Sequence, residues 1–145
     1  MATSYSELKE LEEIAAKVIL YMGWEIEQPK IKYLILEADR SSYLGRCTKA
    51  SEKWKFITGL DFIIEVWQKA FESMTDKQRE AIVLHELTHI ICKEDKEGNT
   101  KWGLQKHDVE EFCSVVAIYG AWEEPLKVML NALNHKEKVV DKEAK

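Results

Sequence analysis

His85-Glu86-Leu87-Thr88-His89 lies past the midpoint of a 145-residue chain, inside the largely apolar run from Ala81 to Ile91. On an α-helix, two histidines four residues apart share one face with about 5–6 Å between their Cβ atoms, so both imidazoles reach one ion. A tetrahedral Zn²⁺ takes nitrogen ligands at about 2.0–2.1 Å, and the glutamate directly after the first histidine then stands beside the position that water fills. The H-E-x-x-H spacing therefore predicts a zinc site with His85 and His89 as ligands and Glu86 as general base, not a ligand. A pair of satisfied core histidines is the plainer reading of the same letters. The neighbours Ala81, Ile82, Val83, Leu84, Leu87, Ile90 and Ile91 count against it. They predict a helix buried on nearly every side, whose polar triplet needs a buried partner, and a metal supplies one.

Outward from the motif, Thr75-Asp76-Lys77-Gln78 fits a capping box, so the motif helix is expected from about Asp76 to Ile91. The polar stretch Lys93 to Gln105 reads as a loop or a short hairpin around Glu97-Gly98-Asn99-Thr100, placed to wall the site. A helix is expected from His107 through Tyr119 to Gly120, and a last one from about Glu123 to Leu133.

Upstream, apolar residues at three- and four-residue intervals predict a helix from Ser4 to Met22, ended by Gly23. Ile31 to Glu37 reads as a strand and Asp39 to Gly45 as a turn. Arg46 to Ala50 and Lys53 to Thr58 read as a hairpin, and Asp61 to Trp67 as an inner strand. The fold class is α+β: an N-terminal helix, a small mostly antiparallel sheet, the motif helix and two C-terminal helices. Residues 1–134 are expected as a single domain and 135–145 as a charged, disordered tail.

A catalytic zinc keeps three protein ligands and one open position. The candidates for the third are His107, Glu110 and Glu111. Asp108 and Glu111 match an N-terminal capping pattern, and acids in a first turn suit the helix dipole, so local structure can explain both glutamates. His107 has no such local explanation and is the favoured ligand; Glu111 and Glu110 stand as alternatives. Asp108 is read as the N-cap. Tyr119, Arg40 and Tyr43 are the available groups for stabilising an oxyanion.

The longest apolar runs, such as Leu60 to Trp67, are too short and too often interrupted by charge to span a bilayer, and a net charge of −5 weighs against a strong nonspecific hold on nucleic acid. Lys49, Lys53 and Lys55 with Arg46 and Trp54 are read as a solvated strand face. Cys47, Cys92 and Cys113, an odd set without C-x-x-C spacing, fit reduced thiols in a cytoplasmic setting, and the acidic N-terminus lacks a secretory signal's basic start.

The order helix, strands, Asp61-Phe62-Ile63-Ile64-Glu65, then His85 to His89, then His107-Asp108-Val109-Glu110-Glu111-Phe112 and Tyr119-Gly120-x-Trp122 resembles the putative phage metallopeptidase family from about Ile31 to Trp122. In outline it is similar to SprT-like and Spartan proteases. The resemblance implies a minimal zincin-like fold and a zinc metallopeptidase, an endopeptidase that hydrolyses peptide bonds in a protein or peptide substrate with a metal-activated water. Glu86 would be its base and His85, His89 and His107 its ligands. Helix-borne glutamates complete the site in the similar ImmA/IrrE-type peptidases, which keeps Glu111 in play. A non-catalytic, zinc-stabilised protein-binding module of phage origin is the alternative.

Overall fold

The computed structural model of the chain describes residues 3–25, 27–109 and 112–143, with side chains described through residue 136. Two compact units divide it, residues 1–105 and 106–145.

In the first unit, strands β1 (Ser4–Ser6), β2 (Ile31–Glu37), β3 (Gly45–Lys49) and β4 (Phe62–Trp67) form a mixed sheet in the order β1-β2-β4-β3. The two outer pairs are antiparallel and β2–β4 is parallel. β4 is the inner strand its sequence predicts: Phe62, Ile64 and Val66 are buried, alternating with the half-buried Ile63, Glu65 and Trp67. α1 (Lys9–Val18) lays Leu11, Ala15 and Val18 on the core and ends through a 3₁₀ turn, Ile19–Met22, at Gly23, which adopts φ 68°. The first residues expected in that helix pair as β1 instead, because the Ser4 and Ser6 hydroxyls donate to the Glu37 carboxylate across the sheet, at 3.0 and 2.8 Å.

The expected hairpin partner Lys53 to Thr58 is a helix, α2 (Glu52–Thr58). Trp54, Phe56 and Ile57 carry strand propensity, but the caps decide. Ser51 Oγ accepts from the Trp54 amide at 3.3 Å, and Gly59, at φ 76°, donates its amide to the Lys55 carbonyl at 2.7 Å. Lys53 and Lys55 therefore lie on a helix and not on a strand face, and Lys55 pairs with Asp61 at 3.0 Å.

α3 (Gln68–Ser73) leads to α4 (Asp76–Thr88), the motif helix. Its capping box forms as the sequence predicts: the Gln78 amide donates to Thr75 Oγ1 at 3.2 Å, and the Thr75 amide donates to Gln78 Oε1 at 2.9 Å. Arg79 ties this turn to its surroundings, donating to the Phe71 carbonyl at 2.9 Å and to Glu10 at 2.7 Å. The helix stops two residues before Ile90, where β5 (Ile90–Glu94) begins and pairs antiparallel with β6 (Thr100–Leu104). Asp95 Oδ1 accepts from the Glu97 and Asn99 amides, each at 2.9 Å, and so shapes the hairpin tip.

The core gathers Leu11, Val18, Ile35, Phe62, Ile64, Val66, Phe71, Val83, Leu87 and Ile90. Val83 and Leu87, one turn apart on α4, are fully buried, and each contributes about 1.5–3 kcal/mol. That fixes the rotation of the helix. It is not buried all round, as the apolar flanks suggested: Ala81 and His85 are exposed and Ile82, Leu84 and His89 half-buried, because one face is open.

In the second unit, His107 to Val109 are not helical, and α5 (Cys113–Tyr119) opens after Phe112 with no side-chain cap, six residues later than expected. Asp108 caps no described helix. Glu110 and Glu111, the alternative ligands, lie outside the described residues. α6 (Glu124–Glu143) continues through His135 over the charged segment expected to be disordered, a run of good helix formers. No described helix is long and apolar enough to cross a membrane.

Candidate metal centre

Because Val83 and Leu87 face the core, His85 and Glu86 between them and His89 just beyond them point in other directions. The His85 and His89 rings lie with centroids 5.2 Å apart and planes at 79°. His89 is the C-cap of α4, and it is held there from outside the helix. The His89 ring meets the Gln105 carbonyl through Nδ1 at 2.8 Å. A carbonyl oxygen only accepts, so Nδ1 carries the hydrogen and the imidazole lone pair sits on Nε2, the arrangement a metal-binding histidine needs. Gln105 also gives its backbone amide to the His89 carbonyl at 2.7 Å and its side-chain amide to the Thr88 carbonyl at 2.6 Å. Two of the carbonyls that every helix end leaves without an intrahelical donor are thus satisfied by one residue.

Glu86 is 5% exposed, the one buried charged residue among those described. Burial pushes its carboxyl pKa up, and the nearby His89 works the other way. Its carboxylate fits against the sheet because residue 45 is glycine. A Cβ there would stand 3.1 Å from Glu86 Oε1, 3.2 Å from Ile82 Cδ1 and 3.3 Å from the Glu65 carbonyl oxygen. In the sequence Gly45 only closes the expected turn Asp39 to Gly45; its place at the entry to a strand is the local signal of this close approach.

β3 is an edge of the sheet. The Leu44 carbonyl accepts from the Trp67 amide and the Ala50 amide donates to the Asp61 carbonyl, so the even-numbered residues of this strand bond toward β4. The amides and carbonyls of Gly45, Cys47 and Lys49 consequently point to the open side. Between this edge and α4 runs a cleft of about 500 Å³, lined by Leu44, Gly45, Gln78, Ala81, Ile82, His85 and Glu86, with Met74. Cys47 shares the face of Gly45. Burial, with the Glu86 charge second, pushes its thiol pKa up to about 12, which makes it a packing group and not a nucleophile.

Among the described residues, the His, Cys, Asp and Glu group able to hold a metal ion is His85, His89 and His107. Cys92 lies on β5, beyond the end of the motif helix. Tyr43 donates its hydroxyl to Glu65 at 2.8 Å; Glu65 alternates with the buried Ile64 and Val66, so Tyr43 faces away from Glu86. Tyr119 is on α5, exposed.

The sequence model of one protein family, described as "Putative phage metallopeptidase", matches residues 3–134. No curated protein and no solved structure matches the chain.

Proposed function

The chain belongs to the putative phage metallopeptidase family, and from that premise we propose that it is a zinc-dependent endopeptidase of minimal zincin design, with Glu86 as its general base. The observation that carries the proposal is a buried carboxylate on the same stretch of helix as two imidazoles whose rings lie 5.2 Å apart, at the wall of a cleft beside an open sheet edge. His85 and His89 supply the first two ligands. His107 supplies the third, two residues beyond Gln105, whose carbonyl meets the His89 ring; three imidazoles with an open fourth position suit a catalytic zinc.

When bound, zinc would lower the pKa of water toward about 7 and polarise the scissile carbonyl. The rest falls to the chain's own groups. Glu86 takes a proton from the attacking water and returns it to the leaving amine, a task suited to a carboxylate whose pKa burial has raised. Gly45, Cys47 and Lys49 present backbone donors and acceptors that pair an extended polypeptide without reading its sequence. Leu44 and Ile82 give the cleft apolar walls. The family description and three cysteines outside any disulfide support a phage protein at work in the bacterial cytoplasm on a host or phage polypeptide.

Glu86→Gln tests this. The variant keeps its zinc content and fold and loses cleavage of an unfolded protein by at least about 100-fold. A wild-type protein that binds one zinc yet cleaves nothing that Glu86→Gln leaves intact would instead favour the zinc-stabilised binding module.

A further inference from the structure

We infer that the cleft beside Glu86 selects a bulky apolar side chain, such as Leu, Met or Phe, next to the bond that is cut. The inference rests on the peptidase reading and deepens it by naming the substrate class. A peptide paired on the open edge of β3 runs along Gly45 and Cys47 and presents alternate side chains to the face that α4 covers. One of those side chains enters the cleft. Gly45 contributes no side chain, and Glu86 and Ile82 pack into the space it leaves, so the substrate side chain enters beside them, between Leu44 and α4.

The walls define the chemistry. Leu44 on the strand side, Ala81 and Ile82 on the helix side and Met74 beyond them are apolar, and about 500 Å³ is ample for one large side chain with part of its backbone. The polar groups are Gln78, whose Oε1 is engaged by the Thr75 amide, and the His85 and Glu86 pair at the reacting end. No Lys or Arg lines the cleft to balance an acidic side chain. An acidic one would also meet the Glu86 carboxylate, and burying a charge without a partner costs more than the cleft returns. Glycine leaves the cavity unfilled.

Zinc-loaded protein is incubated with a defined mixture of synthetic peptides and the new termini are read by mass spectrometry. The expected profile favours Leu, Met or Phe over Asp and Gly by at least about tenfold in kcat/KM at one of the two positions flanking the cut, the scale that filling an apolar pocket supplies. Ala81→Phe, at an exposed helix position, narrows the cleft and shifts that preference to Ala and Gly by a similar factor while zinc content stays at wild-type level. In parallel, Glu86→Gln protein is titrated calorimetrically with a Leu-containing peptide and its Asp counterpart, with and without Ala81→Phe. The Leu peptide is expected to bind at least tenfold tighter, and the added Ala81→Phe to abolish the difference. Cleavage without apolar enrichment at either flanking position, or a profile unmoved by Ala81→Phe, overturns the pocket and leaves the peptidase standing. Selective apolar binding lost in Ala81→Phe, with no Glu86-dependent cleavage of any peptide, overturns the peptidase and keeps the pocket. Equal binding of both peptides counts against the pocket.

Discussion

Gly45→Ala is the most economical perturbation of the site, because it adds one carbon at a known place. That carbon would stand 3.1 Å from Glu86 Oε1, 3.2 Å from Ile82 Cδ1 and 3.3 Å from the Glu65 carbonyl oxygen. The Glu65 carbonyl belongs to the inner strand and gives little. Most of the relief must therefore come from Glu86 and Ile82, which retreat by a few tenths of an ångström. Overpacking of this kind costs about 1–3 kcal/mol, and the stiffer unfolded chain of Ala relative to Gly offsets about 0.4–1 kcal/mol. The net is a loss of about 1 kcal/mol and a melting temperature lower by about 3 °C. Activity should fall further than stability. A misplacement of about 1 Å can cost on the order of 100-fold, so half that in the base predicts about a tenfold drop in kcat with zinc content unchanged. The assay is cleavage of an unfolded protein by zinc-loaded enzyme, with calorimetric melting alongside. Gly103→Ala is the control, since its added Cβ meets only Ile91 Cγ1, at 3.9 Å. Wild-type kcat and melting in Gly45→Ala, or an equal loss in Gly103→Ala, would refute the crowding argument.

Thr75→Ala removes half of the capping box on α4 and is expected to lower unfolding free energy by about 1 kcal/mol in urea denaturation, with little change in the m-value. In metal-free protein, the raised pKa of Glu86 means that the folded state holds its proton to higher pH than the unfolded state does. Stability from this group is thus highest in acid and is lost as pH rises through the folded pKa, so metal-free Glu86→Gln should be more stable than wild type at pH 7 and gain little at pH 4. At pH 8, iodoacetamide should label Cys92 and Cys113, which are exposed, and spare Cys47, whose thiol pKa of about 12 leaves almost no thiolate; rapid labelling of all three in folded protein would contradict the burial of Cys47.

The parts of this chain that were legible in its sequence are those written locally. The capping box of Thr75 and Gln78 and the alternation of Phe62, Ile64 and Val66 each need only a few neighbouring residues to be read. The strand assignment for Lys53 to Thr58 failed because side-chain propensity and terminal caps disagreed, and Ser51 with Gly59 outweighed Trp54, Phe56 and Ile57. The helix expected from His107 failed for the opposite reason, as acids at the right spacing suggested a cap that α5 does not use. Gly45 and Gln105 were illegible because their roles lie across the fold, one against α4 from the sheet and one at the end of that helix from β6. Single-sequence spacing has no access to partners so far away in the chain.

The hairpin of β5 and β6 has a practical consequence. Its far end, around Lys96 to Gly98, is exposed and makes its hydrogen bonds within the turn, while its near end carries Gln105 to the C-terminus of the motif helix. A purification tag or fluorescent reporter spliced into the tip would hang away from the C-terminal end of the motif helix. A single residue inserted between Trp102 and Gln105 would break the clamp on His89, so the same hairpin offers both a permissive graft point and a sensitive one a few residues apart.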